Sequence, residues 1–191
     1  MPRPASDKLD RLTASAVELA HAKGFARITI GDIADHAGVA TGSVYYYFKS
    51  KDDVGRAVID ATLARYRALL AQWEASGDPR ERLTAYIDWH IDEAELLTSN
   101  GSPLGSLVAD LRRHSPELGD EAAALVRTVI DWAAAQFGEL GFAAEAADAR
   151  ATHLVTGLEG AAVLANALGT AQPIEREANH LKRWITATRT G

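Results

Sequence analysis

Between Thr29 and Lys51 the chain reads TIGDIADHAGVATGSVYYYFKSK, and this stretch narrows the possible folds more than any other. Thr29 and Asp32 stand at capping-box spacing, with Asp where Glu or Gln is more usual, and Ile28 and Ile33 occupy the two staple positions. A helix beginning there meets Ala37-Gly38, where glycine can take positive φ and end it. A second short helix is predicted from about Ala40 to Tyr47. Ser50 then caps a longer one, whose first turn holds Asp52 and Asp53 in favourable alignment with the helix dipole. Two helices this short cannot bury a core of their own. With three consecutive tyrosines, a Phe and two lysines, the module is basic and aromatic, and its chemistry points to an external partner, DNA first among them.

The remaining sequence is helical as well. β-Branched residues nowhere alternate with polar ones over a useful length, which gives an all-α chain of about nine helices. Ser6 is placed to cap a first helix with Leu9, Leu12, Ala16, Leu19 and Ala20 on one face, ended by Gly24. The fourth helix runs to about Ser76, where Ser76-Gly77-Asp78-Pro79 breaks it. Further helices are predicted at about 79–98, 104–114, 116–140, 145–168 and 173–188. Their breaks are Ser99-Asn100-Gly101-Ser102-Pro103, Ser115-Pro116, Gly141, and Gly169 with Pro173. No clear break sets the N-terminal module apart, so the fourth helix is expected to join two domains rigidly, residues 1–51 and 52–191.

Composition bounds the function. Hydrophobic residues make up 47% of the 191, enough for a core. No apolar run approaches the roughly 18 residues of a membrane span, and no secretory signal is evident, so a cytoplasmic protein without membrane contact is expected. With no cysteine there are no disulfides or thiolate zinc sites, and no metal or cofactor is predicted. The net charge of −6 argues at first against a polyanion partner. Its distribution argues the other way. Residues 1–51 hold seven Lys/Arg against five Asp/Glu, a balance of +2, and the other 140 hold thirteen against twenty-one, a balance of −8. The excess is small, so DNA binding must rest on local arrangement.

Helix, glycine turn and a second helix of about eight residues is helix-turn-helix grammar. Ile33, Ala34 and Ala37 are predicted to face inward from the first helix, and Val39, Val44 and Phe48 from the second. Left over are Thr41, Gly42, Ser43, Tyr45, Tyr46 and Tyr47, a hydroxyl-rich face with little bulk at Gly42, suited to phosphates and thymine methyls. Three consecutive tyrosines cannot all face inward, so one or two must be exposed. Lys51 sits at the first position of the fourth helix, where a cation opposes the dipole. A bound phosphate there would remove the conflict; the competing reading is a solvated lysine beside Asp52 and Asp53.

Taken in order, Thr29, Asp32-Ile33-Ala34, Ala37-Gly38-Val39 and Gly42-Ser43-Val44-Tyr45-Tyr46-Tyr47-Phe48-Lys49-Ser50-Lys51 resemble the DNA-binding domain of the tetracycline-repressor (TetR) family, over roughly residues 6–55. The resemblance implies that Thr41, Gly42, Ser43 and Tyr45 meet bases or adjacent sugar and phosphate, and that Thr29, Tyr46, Tyr47 and Lys51 meet backbone phosphates of double-stranded operator DNA. Two positions depart from the pattern. Ala40 stands where a serine cap is common, weakening the helix start by up to ~1 kcal/mol. Gly31 offers no side chain where some members use a base-reading arginine.

In the C-terminal region, Ile174, Ala178, Leu181, Ile185 and Thr188 follow 4-3-4-3 spacing. The preceding helix carries Leu154, Val155, Leu158, Ala161, Ala162, Ala165 and Leu168, with Gly157 and Gly160 allowing close approach. These faces either pack within one chain or meet a second copy. The family resemblance implies a homodimer through a four-helix interface of Leu154, Leu158, Ala161, Ala162, Ala165, Ile174, Ala178, Leu181 and Ile185. Gly101-Ser102-Pro103-Leu104-Gly105-Ser106-Leu107, with Asp110-Leu111 and Ser115-Pro116-Glu117-Leu118, resembles the C-terminal domain of the LmrA/YxaF-like branch, usually written with cysteine where Ser102 stands. That implies a small-molecule effector, whose identity the resemblance does not carry. Trp73, Tyr86, Trp89, Trp132, Phe137 and Phe142 lie on helices expected to surround a pocket. Tyr86, Trp89, His90 and Trp132 are candidates for its wall, with His90 or His153 as polar handle.

Other classes fit less well. His90, Asp92 and Glu93 are close in sequence, but His90 and Asp92 do not share a helix face, and no H-E-x-x-H, P-loop or G-x-S-x-G occurs. No catalytic residue is predicted. A helical small-molecule carrier or an adaptor that does not act on DNA is the alternative, and neither would require the Tyr45/Lys51 face.

Overall fold

A computed structural model of the chain describes residues 5–75 and 77–187. Ser76, Thr188 and the Ser6 side chain, named above for a break, a stripe and a cap, lie outside the described residues. Those described form ten α-helices: α1 (Ala5–Lys23), α2 (Ile30–Ala37), α3 (Thr41–Tyr47), α4 (Lys51–Glu74), α5 (Pro79–Asp92), α6 (Ala94–Asn100), α7 (Gly105–His114), α8 (Pro116–Glu139), α9 (Ala144–Leu168) and α10 (Gln172–Ala187). A single 3-10 turn, Phe25–Arg27, links α1 to α2, and no strand occurs among the described residues. The all-α expectation holds. The count exceeds about nine because the run expected at 79–98 divides at Glu93, whose φ of −91° and ψ of 6° leave helical geometry. Neither Gly nor Pro marks that division.

The caps explain the other boundaries. Asp78 accepts from the Arg80 and Glu81 amides at 2.8 and 3.0 Å, Glu81 returns a bond to the Asp78 amide, and Pro79 opens α5. Ser115 accepts from Leu118 N–H and donates to the Glu117 carboxylate ahead of α8. The Glu117 backbone N–H and the Ser115 hydroxyl hold that carboxyl below its ordinary range. Gly169, at φ 66° and ψ 31°, closes α9 in the left-handed region.

Packing gathers the chain into two compact units. The first runs to Arg65 and takes in Ser106–Leu125; the second comprises Tyr66–Gly105 and the residues from Val126 onward. In the first, α1 packs on α2 and α2 on α3, around buried Leu12, Ala16, Phe25, Ile28, Ile33, Val44, Val54, Leu111 and Leu118. Leu9, expected on the inward face, sits at its edge with 38% exposure. Two glycines set close contacts here. A Cβ on Gly55 would lie 2.7 Å from Leu118 Cδ1, and one on Gly119 would lie 2.7 Å from the Arg112 Cα and 2.5 Å from its Cβ.

In the second unit α10 packs on α9 and α5, and α6 packs on α9. Ala94 and Leu97 of α6 meet Ala161, Ala162 and Ala165 of α9 and Ile174 of α10 in one apolar cluster. A Cβ on Gly157 would sit 2.7 Å from Glu177 Oε1, the mobile end of a side chain that can swing aside, and 3.4 Å from Leu181 Cδ1. The residues expected at a dimer interface, Leu154, Leu158, Ala161, Ala162, Ala165, Ile174, Ala178, Leu181 and Ile185, are all at most 5% exposed within a single chain, where they pack against its own helices. The large apolar side chains that α9 exposes are Val163, Leu164 and Leu168, at 54–67%.

The glycines separate by what surrounds them. Gly119→Ala is expected to lower stability by about 1–3 kcal/mol through overpacking against Arg112, although alanine is the better helix former. Gly138→Ala, with open space around it, is expected to raise stability by about 0.5–1 kcal/mol. Denaturant unfolding of the two variants checks both signs.

Candidate nucleic-acid interface and buried polar cluster

The first short helix begins as its sequence dictates. Asp32 N–H donates to Thr29 Oγ1 at 3.1 Å, and Asp32 Oδ2 accepts from the Thr29 amide at 2.8 Å and from its hydroxyl at 2.7 Å. Those two donors, the hydroxyl first, hold the Asp32 carboxyl below its ordinary value. The Thr29 hydroxyl hydrogen is therefore committed to the cap. At the other end Gly38 adopts φ 61° and ψ 41°, with its N–H on the Ala34 and Asp35 carbonyls. The Arg11 guanidinium, from α1, bonds the Ala37 carbonyl and lies 3.4 Å from that of Gly38. Arg11 fixes the turn, and nothing near it in sequence signals that role.

The second short helix contributes Val44 to the core, and Phe48 just beyond it is buried too. Val39 is only half-buried. Thr41 and Gly42 are exposed, Ser43 and Tyr47 half-buried, and Tyr45 and Tyr46 are 54% and 74% exposed. Two of the three tyrosines thus project outward, while the Tyr46 and Tyr47 rings meet edge to face at 5.0 Å. Ala40 makes no side-chain cap bond. Among the described residues nothing lies within 4 Å of where a Cβ on Gly42 would sit, so their packing does not require a glycine there. Lys49, which the sequence reading left without a role, donates to the Tyr45 and Tyr46 carbonyls at 2.8 and 3.2 Å. It places a cation at the C-terminal end of this helix, where the dipole favours one.

The start of α4 forms a second reciprocal cap. Asp53 N–H donates to Ser50 Oγ at 3.1 Å, and Asp53 Oδ2 accepts from the Lys49 and Ser50 amides. Lys51 is half-buried and reaches back to the turn ahead of α2. Its Nζ donates to the Ala26 carbonyl at 2.9 Å and lies 5.2 Å from the Phe25 ring centroid. One such bond leaves an ammonium two further N–H groups. Asp110 of α7 holds the same turn from the other side, accepting from Ala26 N–H at 3.0 Å. His114 Nε2 lies 3.0 Å from Asp52 Oδ1, and its ring meets Phe25 edge-on at 5.2 Å.

A second cluster lies in the C-terminal unit. Tyr86, His90 and Trp132 are buried at 0%, 1% and 7% exposure, and Trp89 is half-buried beside them. His153 does not join them; it is exposed and packs edge-on against Trp184 at 4.9 Å. Glu159 does join, with Oε1 4.0 Å from His90 Nε2. Burial, and then the Glu159 charge, push the Tyr86 phenol well above its ordinary range, so it remains a neutral donor. The Gly101–Leu107 signature feeds this site. Ser102 Oγ accepts from the Leu104 and Gly105 amides, and Gly105 N–H also donates to Glu159 Oε2 at 3.0 Å. Sequence reasoning missed Glu159 because it lies 69 positions from His90.

The Asp32 cap has a pH consequence. Its folded-state carboxyl titrates below the ordinary Asp value, so its contribution to stability is complete above that value and is lost as pH falls through the lowered one. Asp32→Asn is expected to lower the melting temperature at neutral pH and to flatten its fall between about pH 5 and pH 3. Thermal melts of both proteins across that range test this; parallel curves would contradict it.

Comparison with known proteins extends the geometry. Residues 12–58 match the family described as "Bacterial regulatory proteins, tetR family". Residues 79–180, more than half of the chain, match "Transcriptional regulator LmrA/YxaF-like, C-terminal domain". An uncharacterized HTH-type transcriptional regulator in the lacX 3'region of Lactococcus lactis subsp. lactis is 31% identical over 105 residues, 53% of this chain and 54% of that protein. The HTH-type transcriptional repressor KstR2 of Mycolicibacterium smegmatis is 33% identical over 87 residues, 44% and 41% of the two chains. The chain thus spans about half the length of the curated relatives it matches. A crystal structure of a TetR transcriptional regulator from Legionella pneumophila covers 100% of both chains with a TM-score of 0.84 at 21% identity, a likeness of fold.

Proposed function

Since the chain belongs to the TetR family of transcriptional regulators, with an LmrA/YxaF-like C-terminal domain, we propose that it represses transcription by binding a pseudo-palindromic operator as a homodimer and is released by a small-molecule effector. The observation that carries this reading is the outer face of α3. Its Thr41, Gly42, Tyr45 and Tyr46 are exposed, and the chain's own packing does not need the glycine. A hydroxyl-rich helix with a bare backbone patch suits the major groove.

Thr41, Gly42, Ser43 and Tyr45 then meet bases and nearby backbone, while Thr29, Tyr46, Tyr47 and Lys51 meet phosphates. Thr29 does so by turning its hydroxyl hydrogen from Asp32 to the phosphate, and Lys51 through the N–H groups that Ala26 does not use. Functionally the division falls at 51/52, with DNA contact before it and effector binding and dimerisation after it. Reading two successive major grooves requires two recognition helices roughly 34 Å apart, hence a second copy. Its contact is best supplied by Val163, Leu164 and Leu168, around the groove that Gly160 and Pro173 help to line. The name of the Mycolicibacterium relative, a repressor, supports repression rather than activation. An effector bound in the C-terminal region shifts α4 and changes the separation of the two reading heads. Effector and DNA then oppose each other with a coupling of about 1–3 kcal/mol. Such a protein works in the cytoplasm, with the DNA it reads.

Tyr45→Ala is expected to weaken binding to a selected operator by about 1–3 kcal/mol while leaving random duplex little changed. Lys51→Ala should weaken binding to every sequence and reduce the salt slope by about one. Gly42→Ala should lower operator affinity while the fold gains up to ~1 kcal/mol. Fluorescence anisotropy over a salt series distinguishes these outcomes, and unchanged affinity in all three variants removes α3 as the reading helix. Leu164→Glu should convert the dimer to monomer in light scattering; a dimer of undiminished stability would place the interface elsewhere.

A further inference from the structure

His90 and Glu159 together create a demand that the chain does not meet. The Tyr86 carbonyl can only accept, so the His90 nitrogen 3.0 Å from it, Nδ1, carries a proton and donates. In the tautomer that carries its single proton on Nδ1, the lone pair of Nε2 faces Glu159 Oε1, 4.0 Å away. Oε1 has no hydrogen-bond partner among the described residues, whereas Oε2 takes the Gly105 N–H. Two acceptors, one of them a carboxylate, therefore face each other across a gap too long for a direct hydrogen bond. Aromatic rings pack around His90 and Tyr86. Tyr86 and Trp89 stand edge-on to His90 at 4.8 and 4.9 Å, and Trp73 and Trp132 lie 5.8 and 5.9 Å from Tyr86. The buried Tyr86 hydroxyl and Trp132 N–H also lack hydrogen-bond partners among the described residues, and both can donate.

We propose that this cluster binds an organic cation, an amine on an aromatic body with an oxygen acceptor nearby, whose ammonium bridges His90 Nε2 and Glu159 Oε1. A carboxylate set among aromatic rings is the chemistry that retains an ammonium, and the two unpartnered donors match the oxygen. A carboxylate ligand is disfavoured, because it brings a second negative charge beside Glu159 in a buried setting. Ser102 and Gly105 act as positioning residues: their turn holds Oε2 and leaves Oε1 for the ligand. The assignment rests on reading the C-terminal region as an effector domain and supplies the chemical class of that effector.

Three naphthyl probes test it on the full chain: propranolol, a protonated amine with hydroxyl and ether oxygens; neutral 1-naphthol; and anionic 1-naphthoxyacetate. Calorimetry and tryptophan fluorescence should show propranolol binding at least about tenfold more tightly than either analogue. Glu159→Gln, verified as folded by circular dichroism, should abolish that preference while changing 1-naphthol affinity by less than roughly twofold. Trp132→Phe, which keeps a ring and removes the N–H, should weaken propranolol several-fold. Equal or tighter binding of the anion, or a cation preference that survives Glu159→Gln, overturns the assignment. DNA release is read separately. Glu159-dependent propranolol binding that leaves selected duplex bound would uphold the site and sink the gating mechanism. Release of DNA by the anion without a cation preference would sink the ligand class and uphold gating.

Discussion

Ala26 is gripped on both sides, its N–H by Asp110 of α7 and its carbonyl by Lys51 at the head of α4. The arrangement of the N-terminal unit depends on that grip. Each short helix buries only a few side chains, Ile33, Ala34 and Ala37 from α2 and Val44 from α3, too little to fix its own orientation. What fixes it is a set of polar ties at the helix ends: the Thr29–Asp32 cap, Arg11 on the Ala37 carbonyl, Lys49 on the end of α3, and the Ala26 grip. Of these, the Ala26 grip joins the turn ahead of α2 to α4 and α7, both contributed from beyond the helix-turn-helix. A displacement of α7 therefore pulls directly on the turn that leads into α2. Leu118 against Gly55 and His114 against Phe25 and Asp52 close the same junction with apolar and ionic contacts.

Much of this was legible in the sequence, and the reasons for the remainder are physical. Caps are local, so Thr29/Asp32, Ser50, Asp78-Pro79, Ser115-Pro116 and Gly169 announced their helix ends correctly. The division at Glu93 carries no breaker residue and could not be read. The 4-3-4-3 stripe of α10 reported burial faithfully but not against what. A stripe that packs on α5 and α9 of its own chain has the same spacing as one that packs on a partner, and the distinction lies in tertiary contacts. Lys51 was recognised as ill-placed at a helix start, yet its partner, the Ala26 carbonyl, lies 25 positions away and is a backbone atom. Glu159 escaped for the same reason: its partners are His90 and the Gly105 amide, and no local pattern links them.

The small basic excess of the N-terminal region now has a clearer meaning. The excess of the first 51 residues is only +2, so under the proposed function charge alone supplies little hold on DNA, and sequence recognition is assigned to the exposed face of α3 and to its repetition in a second copy. The most direct measurement is selection of bound duplexes from a random pool by the full chain, followed by hydroxyl-radical footprinting. A paired reading head should enrich a pseudo-palindrome and protect two half-sites with centres one helical turn, about 34 Å, or a whole multiple apart. Enrichment of no sequence, or a single unsymmetrical footprint, would contradict the account.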